Sequence, residues 1–377
     1  MKNSPASQAR VAIFRHTLFQ RSEQFIPMQA LALRNSDVTM IARDSIINSI
    51  PELKTETLEQ VGRGIKLRHT VLADSRPLKA VLKKGDFDVV HAHFGVEGMY
   101  SISAAKQLDI PHFTTLHGYD VTRTKSSFLT SGKPAWLRYG LQRRQFISSA
   151  QNLICVSSFI QQKAIELGAK YERTHVIGTG VDTHAILPSP VPVSPTVLHV
   201  ARLVEVKGTN DLISAFSVVL KKIPEAQLNI IGEGPLMPTL KSQVESLGIS
   251  DSVNFMGSQP HHIVLEQLGK SRLFCLPSVT ASSGANEGLG QVILEASASA
   301  RPVLATNSGG ITDGVVDGLT GTLVEERNVN QLAESMYQYL ENWNTANEHG
   351  LSGRAFVEEN FDVYKQAIKV EQLYRQA

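Results

Sequence analysis

Glu287 and Glu295 stand eight positions apart in the stretch SSGANEGLGQVILEASAS, Ser282 to Ser299. Between them lie Gly288-Leu289-Gly290 and then the apolar run Val292-Ile293-Leu294. The pattern predicts a loop followed by a helix from Gln291 to Ser299. An α-helix turns about 100° per residue, so the two carboxylates need not share a helix face. Glu287 belongs to the loop and Glu295 to the second turn. Glycines let backbone N–H groups come close to a ligand, and a helix start with unpaired N–H groups is an anion site. One short segment thus offers an anion cradle with a carboxylate on either side. That suits a ligand whose phosphates are flanked by hydroxyl-rich sugars.

A second cluster lies upstream. The strand-like run Leu198-His199-Val200 is followed by Arg202, Lys207 and Gly208. Two cations in a strand-to-helix loop suit a diphosphate. Gly232-Glu233-Gly234-Pro235 is another strand end, with Pro235 placed as a first helical residue. Arg202 and Lys207, then this Gly-Glu-Gly-Pro, then Glu287 with Glu295, in that order and spacing, resemble the donor-binding half of the retaining family 4 glycosyltransferases. The resemblance covers nearly the whole chain. It implies an α/β fold of the GT-B type, with two Rossmann-like doubly wound domains facing a cleft and a C-terminal helix crossing back to the first.

The resemblance also implies roles. Arg202 and Lys207 would stabilise the leaving diphosphate, together with the helix start at Gly290. Glu287 would hold sugar hydroxyls and Glu295 the ribose. His117, after the strand Phe113–Leu116, matches the histidine that contacts the donor sugar near its reacting carbon. Gly257-Ser258 matches the loop that holds the nucleotide base, and Gly232, Glu233, Gly288, Leu289 and Gly290 belong to the donor site. On the acceptor side stand His93, Asp120 and Glu23. Asp120 reads equally as a turn cap, and His91 reads as packing. Gly178 to Asp182 reads either as the segment closing the first domain or as a tight turn. There are two departures from the family. Arg15 to Glu23 replaces a Gly-Gly first loop, and Ile311-Thr312-Asp313 follows Gly309-Gly310 where Pro-Glu is common.

The elements that must position these residues alternate. Strands are expected at Val11–Phe14, Val38–Ile41, Asp88–His91, Pro111–Leu116, Leu153–Val156 and Thr174–Ile177. After them come Val197–Val200, Ala226–Ile231, Val253–Met256, Leu273–Leu276, Val303–Ala305 and Thr322–Val324. Helices lie between, such as Phe159–Leu167 behind an N-cap at Ser157-Ser158, Asn210–Lys222, Leu236–Leu247 and Gln331–Trp343. Arg15–Glu23 is expected as a polar loop and Ala42–Gly62 as a long polar segment. Such alternation is the signature of doubly wound α/β domains. Four prolines in residues 188–195 mark a linker. The expected domains are 1–187, 196–357 and a final helical segment, 358–377.

Composition agrees with a globular enzyme: 42% hydrophobic, 19% charged, with no apolar run of membrane-spanning length. The N-terminus lacks the apolar core of a signal peptide. Cys155 and Cys275 lie in apolar runs and read as small buried thiols, which places the chain in a reducing cytoplasm. Residues 1–190 hold 24 Lys+Arg against 15 Asp+Glu, or +9; the rest hold 13 against 20, or −7. A basic first half suits an anionic membrane surface or a phosphate-bearing acceptor. No zinc, helix-turn-helix or RNA-recognition signature supports nucleic acid. Arg123 to Phe146 mixes cations with Phe128, Trp136, Leu137, Tyr139 and Leu141. It reads as an interfacial surface or as an ordinary amphipathic helix on the sheet.

The function these readings imply is a hexosyltransferase. It uses a nucleotide-diphosphate sugar, UDP- or GDP-linked, and a polyprenyl-diphosphate-linked or free saccharide acceptor of bacterial surface polysaccharide synthesis. No cofactor and no metal are expected, because no Asp-x-Asp motif is present and two cations and a helix dipole can neutralise the phosphates. The alternatives are a nucleotide-sugar epimerase or a sugar phosphorylase on the same fold, or a silent nucleotide-sugar-binding module. The expected location is cytoplasmic, free or on the inner face of the membrane.

Overall fold

Short apolar runs buried on both faces pair as parallel strands with helices covering the sheet. That arrangement is found twice along this chain. The structure, a computed structural model, describes residues 8–58, 68–70 and 72–377. Two compact units emerge. One comprises the chain up to Gly180 together with Val363–Ala377, and the other Val181–Asp362.

The first unit carries a seven-stranded parallel sheet: β1 Ala9–Leu18, β2 Ser36–Ile46, β3 Lys54–Thr57, β4 Val89–His93, β5 His112–Leu116, β6 Asn152–Cys155 and β7 Thr174–Val176. Its order is β3-β2-β1-β4-β5-β6-β7. The second unit has six: β8 Thr196–Val200, β9 Gln227–Ile231, β10 Val253–Gly257, β11 Leu273–Leu276, β12 Val303–Thr306 and β13 Gly321–Val324, in the order β10-β9-β8-β11-β12-β13. The strand order reverses between β1 and β4 in one sheet and between β8 and β11 in the other. Ligands of open α/β sheets bind outside the carboxyl ends of strands at such a reversal. The loops after these four strands are therefore where chemistry belongs. Both cysteines are buried and unpaired, Cys155 in β6 and Cys275 in β11.

Several elements depart from expectation. β1 does not stop at Phe14. It pairs with β2 as far as Leu18, with a register shift between Arg15 and Thr17. Arg15 can lie inside the strand because Glu97 and Glu23 take its guanidinium at 2.7 and 2.5 Å. β2 likewise runs on to Ile46, and β3 lies within the segment expected to be polar and irregular; the last part of that segment falls outside the described residues. The helix Val329–Glu341 stops short, and Asn342 caps a further helix, Trp343–Asn360, by accepting from the N–H of Thr345 at 3.2 Å. Its composition hides it, with two glycines and few apolar residues. Gly350 is there for packing: a Cβ on it would meet the Ala300 carbonyl oxygen at 2.3 Å.

The proline run is not free chain between domains. Residues 181–195 belong to the second unit. An extended segment leaves its carbonyls without a ladder, and buried carbonyls need donors. Side chains supply them: Arg354 to Thr183 and Ile186, Arg301 to Pro190, the Trp343 indole to Val191 and Arg272 to Pro192, at 2.6 to 3.1 Å. The C-terminal helix, Val363–Gln376, is part of the first unit. Val363, Ala367 and Val370 are fully buried there, and the two valines contribute about 1.5–3 kcal/mol each. Glu371 accepts from the backbone and side chain of Asn35, both at 2.7 Å, and Tyr374 reaches His91 at 2.6 Å.

Candidate active site

In the second unit the loop after β8 carries Arg202, which is exposed, and a single 3-10 turn, Glu205–Lys207. Gly208 ends this turn with φ of 61°, and a Cβ there would sit 1.9 Å from the Pro277 carbonyl oxygen. Only glycine lets the β8 loop lie against the end of β11. This close approach sets Lys207 beside the next loop, where its ammonium makes an ion pair with Oε2 of Glu287. Both side chains are under a fifth exposed. Ser278 Oγ lies 3.4 Å from the same oxygen. Oε1 of Glu287 has no protein partner among the described residues.

The backbone of Glu287 is held as firmly. Its carbonyl accepts the N–H of Gly310 at 3.0 Å, and a Cβ at Gly309 would stand 2.4 Å from it. The glycine pair after β12 thus acts on Glu287 itself. Two further carboxylates, not singled out from the sequence, pin the loop from outside. Glu205 accepts from the N–H and hydroxyl of Ser282 at 2.8 and 2.7 Å, and Glu326 from those of Thr280 at 2.8 and 3.0 Å.

The helix Gln291–Ala298 starts where the sequence placed it, and Gly290, left-handed at φ 82°, caps it without a side chain. No N-cap side chain closes its first turn, an arrangement that suits an anion. Leu289, Ile293 and Leu294 are buried, which anchors the helix start. Glu295 is buried and accepts from Nε2 of His261 at 3.1 Å. That contact raises the His261 pKa above its ordinary value. Gly232 follows β9 and Gly257 ends β10, both at positive φ. Glu233 is exposed; its carbonyl accepts from Leu203 N–H at 2.9 Å and its carboxylate from Ser258 N–H at 3.4 Å.

In the first unit Arg15 lies inside β1, His93 ends β4 and His117 follows β5. Asp120 sits in the first turn of the short helix Tyr119–Thr122 and accepts the N–H groups of Gly95 and His117 at 2.8 and 2.7 Å. It ties this turn to the start of the helix Gly95–Gln107 and is fully buried, and burial pushes its pKa up to about 6 against those two donors. Phe94 joins β4 to the helix Gly95–Gln107 at φ 71°, ψ 145°, a region natural only to glycine. Such backbone costs on the order of 1–3 kcal/mol and persists where its surroundings enforce it. Here the Phe94 ring lies under the Arg15 guanidinium at 4.4 Å, stacks on Tyr119 at 5.1 Å and packs against His117 at 4.5 Å. Glu97 is buried and faces Arg15 together with Glu23; burial pushes its pKa up to about 7, against the pull of Arg15. Glu23 is thus engaged with Arg15, and His93 lies buried behind His117. Among the described residues no cluster of three or more His, Cys, Asp or Glu could hold a metal ion.

The two halves also match known families. A profile described as Glycosyltransferase Family 4 matches residues 28–185, and one described as Glycosyl transferases group 1 matches residues 190–356. The chain belongs to glycosyltransferase family 4.

Among its relatives is the GDP-mannose-dependent alpha-(1-6)-phosphatidylinositol monomannoside mannosyltransferase of Mycobacterium tuberculosis, 31% identical over 214 residues. That stretch is 54% of this chain and 56% of the relative, so the match spans little more than half the relative's length. The amylovoran biosynthesis glycosyltransferase AmsK of Erwinia amylovora is 26% identical over 80% of this chain and 72% of its own. The solved structure of HepE from Anabaena, in complex with UDP and glucose, has a TM-score of 0.78 at 18% identity and covers 98% of this chain and 100% of that one. At that identity the likeness is one of fold, the GT-B type.

In this glycosyltransferase, sequence reasoning reached the strand-end residues but not their partners. Ser278, Glu205, Glu326, His261 and the Arg15–Glu97 pair carry no local motif, because each meets its partner through the sheet order. One surface reading also changes. Arg143, in the basic-aromatic segment, is buried, donates to the Arg123 carbonyl at 2.6 Å and stands over Phe128 at 5.3 Å. It is scaffold rather than membrane-facing charge.

Proposed function

We propose that this glycosyltransferase is a retaining, metal-independent hexosyltransferase. It moves a hexosyl unit from a UDP- or GDP-sugar to a hydroxyl of a lipid-linked or free saccharide used in surface polysaccharide assembly. The observation that carries the reading is the Lys207–Glu287 pair at the strand-order reversal, beside a helix start capped only by glycine. In the reaction the bond between the anomeric carbon and the β-phosphate oxygen breaks, and negative charge collects on the departing diphosphate. Lys207, Arg202 and the first turn of the helix Gln291–Ala298 meet that charge with fixed positive groups. Glu287 keeps Lys207 on one oxygen and takes a sugar hydroxyl on the other. Glu295, braced by His261, takes the ribose.

The named activity of the mycobacterial relative, GDP-mannose-dependent mannosyl transfer, and the UDP and glucose bound to HepE support a nucleotide-sugar donor. The name of the Erwinia relative supports polysaccharide synthesis. Thermal shift against UDP-, GDP- and ADP-sugars tests the reading. A donor at 100 times its dissociation constant adds about 2.7 kcal/mol of stability. Nucleotide release in the presence of acceptor should then persist in EDTA. No shift with any donor rejects the function, and loss on chelation restored by Mg²⁺ or Mn²⁺ rejects the metal-free route.

The helix Pro134–Ser149 supplies the membrane side of the proposal. Leu137 and Leu141 are 44% and 60% exposed, a turn apart, and Lys125, Lys133 and Arg144 are exposed in the same segment. Among the described residues no helix is long and apolar enough to cross a membrane. Each surface cation gains about 1 kcal/mol near an anionic leaflet, and salt screens it. Sedimentation with anionic vesicles should fall in a Lys125, Lys133, Arg144 to Gln variant and at high salt, with donor affinity unchanged. Equal sedimentation with neutral vesicles, or none with either, would remove the membrane role.

A further inference from the structure

β4 ends in two histidines on one face, and β5 runs into a third. His91 is satisfied at both ring nitrogens: Nδ1 meets the Tyr374 hydroxyl at 2.6 Å and Nε2 the Thr115 hydroxyl at 2.7 Å. His93 is different. Its Nδ1 lies 3.0 Å from Nε2 of His117, while its own Nε2 is buried with no partner. The two rings are inclined by only 22°, with centroids 5.3 Å apart. That separation is about the N···N distance plus two imidazole radii, so the rings meet edge to edge and the hydrogen bond is in plane.

One proton occupies that bond, and it has two places to reside. On Nε2 of His117, it would oblige a neutral His93 to carry its own proton on Nε2, an N–H buried with nothing to accept it. On Nδ1 of His93, it leaves Nε2 of His93 as a bare lone pair. Orphaned buried N–H groups are the rarer and costlier case. A doubly protonated His93 is opposed by Arg15, which donates to the His93 carbonyl at 3.1 Å and fixes a cation next to the ring. Burial also holds both histidines well below their ordinary pKa.

We propose that His93 donates Nδ1–H to Nε2 of His117 and so fixes His117 in its Nδ1–H form, a neutral donor to a hydroxyl oxygen of the bound sugar. His93 touches no ligand; it is a positioning residue. His117 Nδ1 has no protein partner among the described residues, and its ring is partly exposed. Phe25 and Phe94 pack against that ring at 4.9 and 4.5 Å and hinder the flip that would exchange its two nitrogens. The inference rests on the saccharide-transfer reading of the site.

Two-bond ¹H–¹⁵N correlation spectra of the ¹⁵N-histidine-labelled protein decide it. His117 should show a protonated Nδ1 and a bare Nε2 in the unaltered chain. His93→Asn places an amide N–H where Nδ1–H stood and should keep that pattern and the turnover. His93→Leu should lose the pattern, with kcat falling roughly tenfold to a hundredfold and the donor KM changing less. A bare Nδ1 on His117 in the unaltered, active protein overturns the proposal and leaves the transferase reading standing, as does an unchanged pattern in a folded His93→Leu chain. Absence of binding or turnover with every nucleotide sugar overturns the transferase reading, and the sugar-donor role with it, whatever the spectra show. If His93→Leu does not fold, the spectrum of the unaltered chain still distinguishes the two tautomers of His117.

Discussion

Lys207→Ala lowers kcat/KM by about a hundredfold or more, the usual loss when one fixed group facing developing negative charge is removed. The side chain is 17% exposed and pairs with a carboxylate that is 14% exposed, so most of its surroundings are protein. Its removal also leaves Glu287 partly buried without its cation, which costs stability as well as rate. Lys207→Met keeps the volume and separates lost packing from lost charge. Because Lys207 and Glu287 are paired, Lys207→Met and Glu287→Gln should not add: the double variant should lose less than the product of the two single losses. Arg202→Ala is the contrasting case. It is exposed at the mouth of the β8 loop, so its loss should cut turnover with little change in thermal midpoint. Steady-state kinetics and melting curves on the four single variants and the double variant give the answer. Unaltered turnover in Lys207→Met would remove the diphosphate role from this loop.

The second large effect is acid lability confined to the first unit. Burial lowers His69 to about 4 and His91 and His112 to about 3, and holds His16, His93 and His117 well below the ordinary range. An unfolded chain protonates these groups below pH 6.5, whereas the folded one refuses the proton. Stability is therefore present above 6.5 and lost as pH falls beneath it. Each such histidine costs about 1.2 kcal/mol between pH 7 and 5.5. Two carboxyls act in the opposite sense. Glu97 is raised to about 7 and Asp120 to about 6, so the folded state takes up their protons first and gains roughly 1.5 and 0.8 kcal/mol over the same interval. Over the six histidines and two carboxyls the net loss is about 5 kcal/mol. In the second unit only His199, lowered to about 4, is buried in this way among the described histidines. The two tryptophans report separately, Trp136 on the first unit and Trp343 on the second. Urea midpoints followed through Trp136 should fall steeply from pH 7 to 5.5 while those followed through Trp343 move little. Parallel shifts at both probes would contradict a lability confined to the buried histidines of one unit.

What the sequence determined by itself is local. Apolar runs of four or five residues, separated by helix-forming stretches and punctuated by glycine, define two parallel sheets. A strand followed by Gly-rich chain and a helix start defines where an anion can sit. That is why Arg202, Lys207, Glu287 and Glu295 could be named, and why the helix after Gly290 begins where it does. The errors were local as well. Arg15 is charged and reads as loop, and nothing in its neighbours announces that Glu97, 82 residues away, makes burial tolerable. The helix Trp343–Asn360 has weak amphipathic patterning, because one of its buried contacts is a glycine, Gly350, pressed against the Ala300 backbone.

The tertiary structure alone decided the partnerships. Lys207 meets Glu287 across 80 residues, His261 meets Glu295 across 34 and His93 meets His117 across 24. Each pair joins the ends of different elements, and which ends lie side by side depends on strand order rather than on spacing along the chain. Strand order reverses between β8 and β11 because the helices must cover both faces of the sheet. That reversal puts a lysine next to a glutamate, on one of its two carboxylate oxygens. In the other sheet, register sets His93 opposite Thr115, two residues before His117, so that one imidazole can fix the proton of the other.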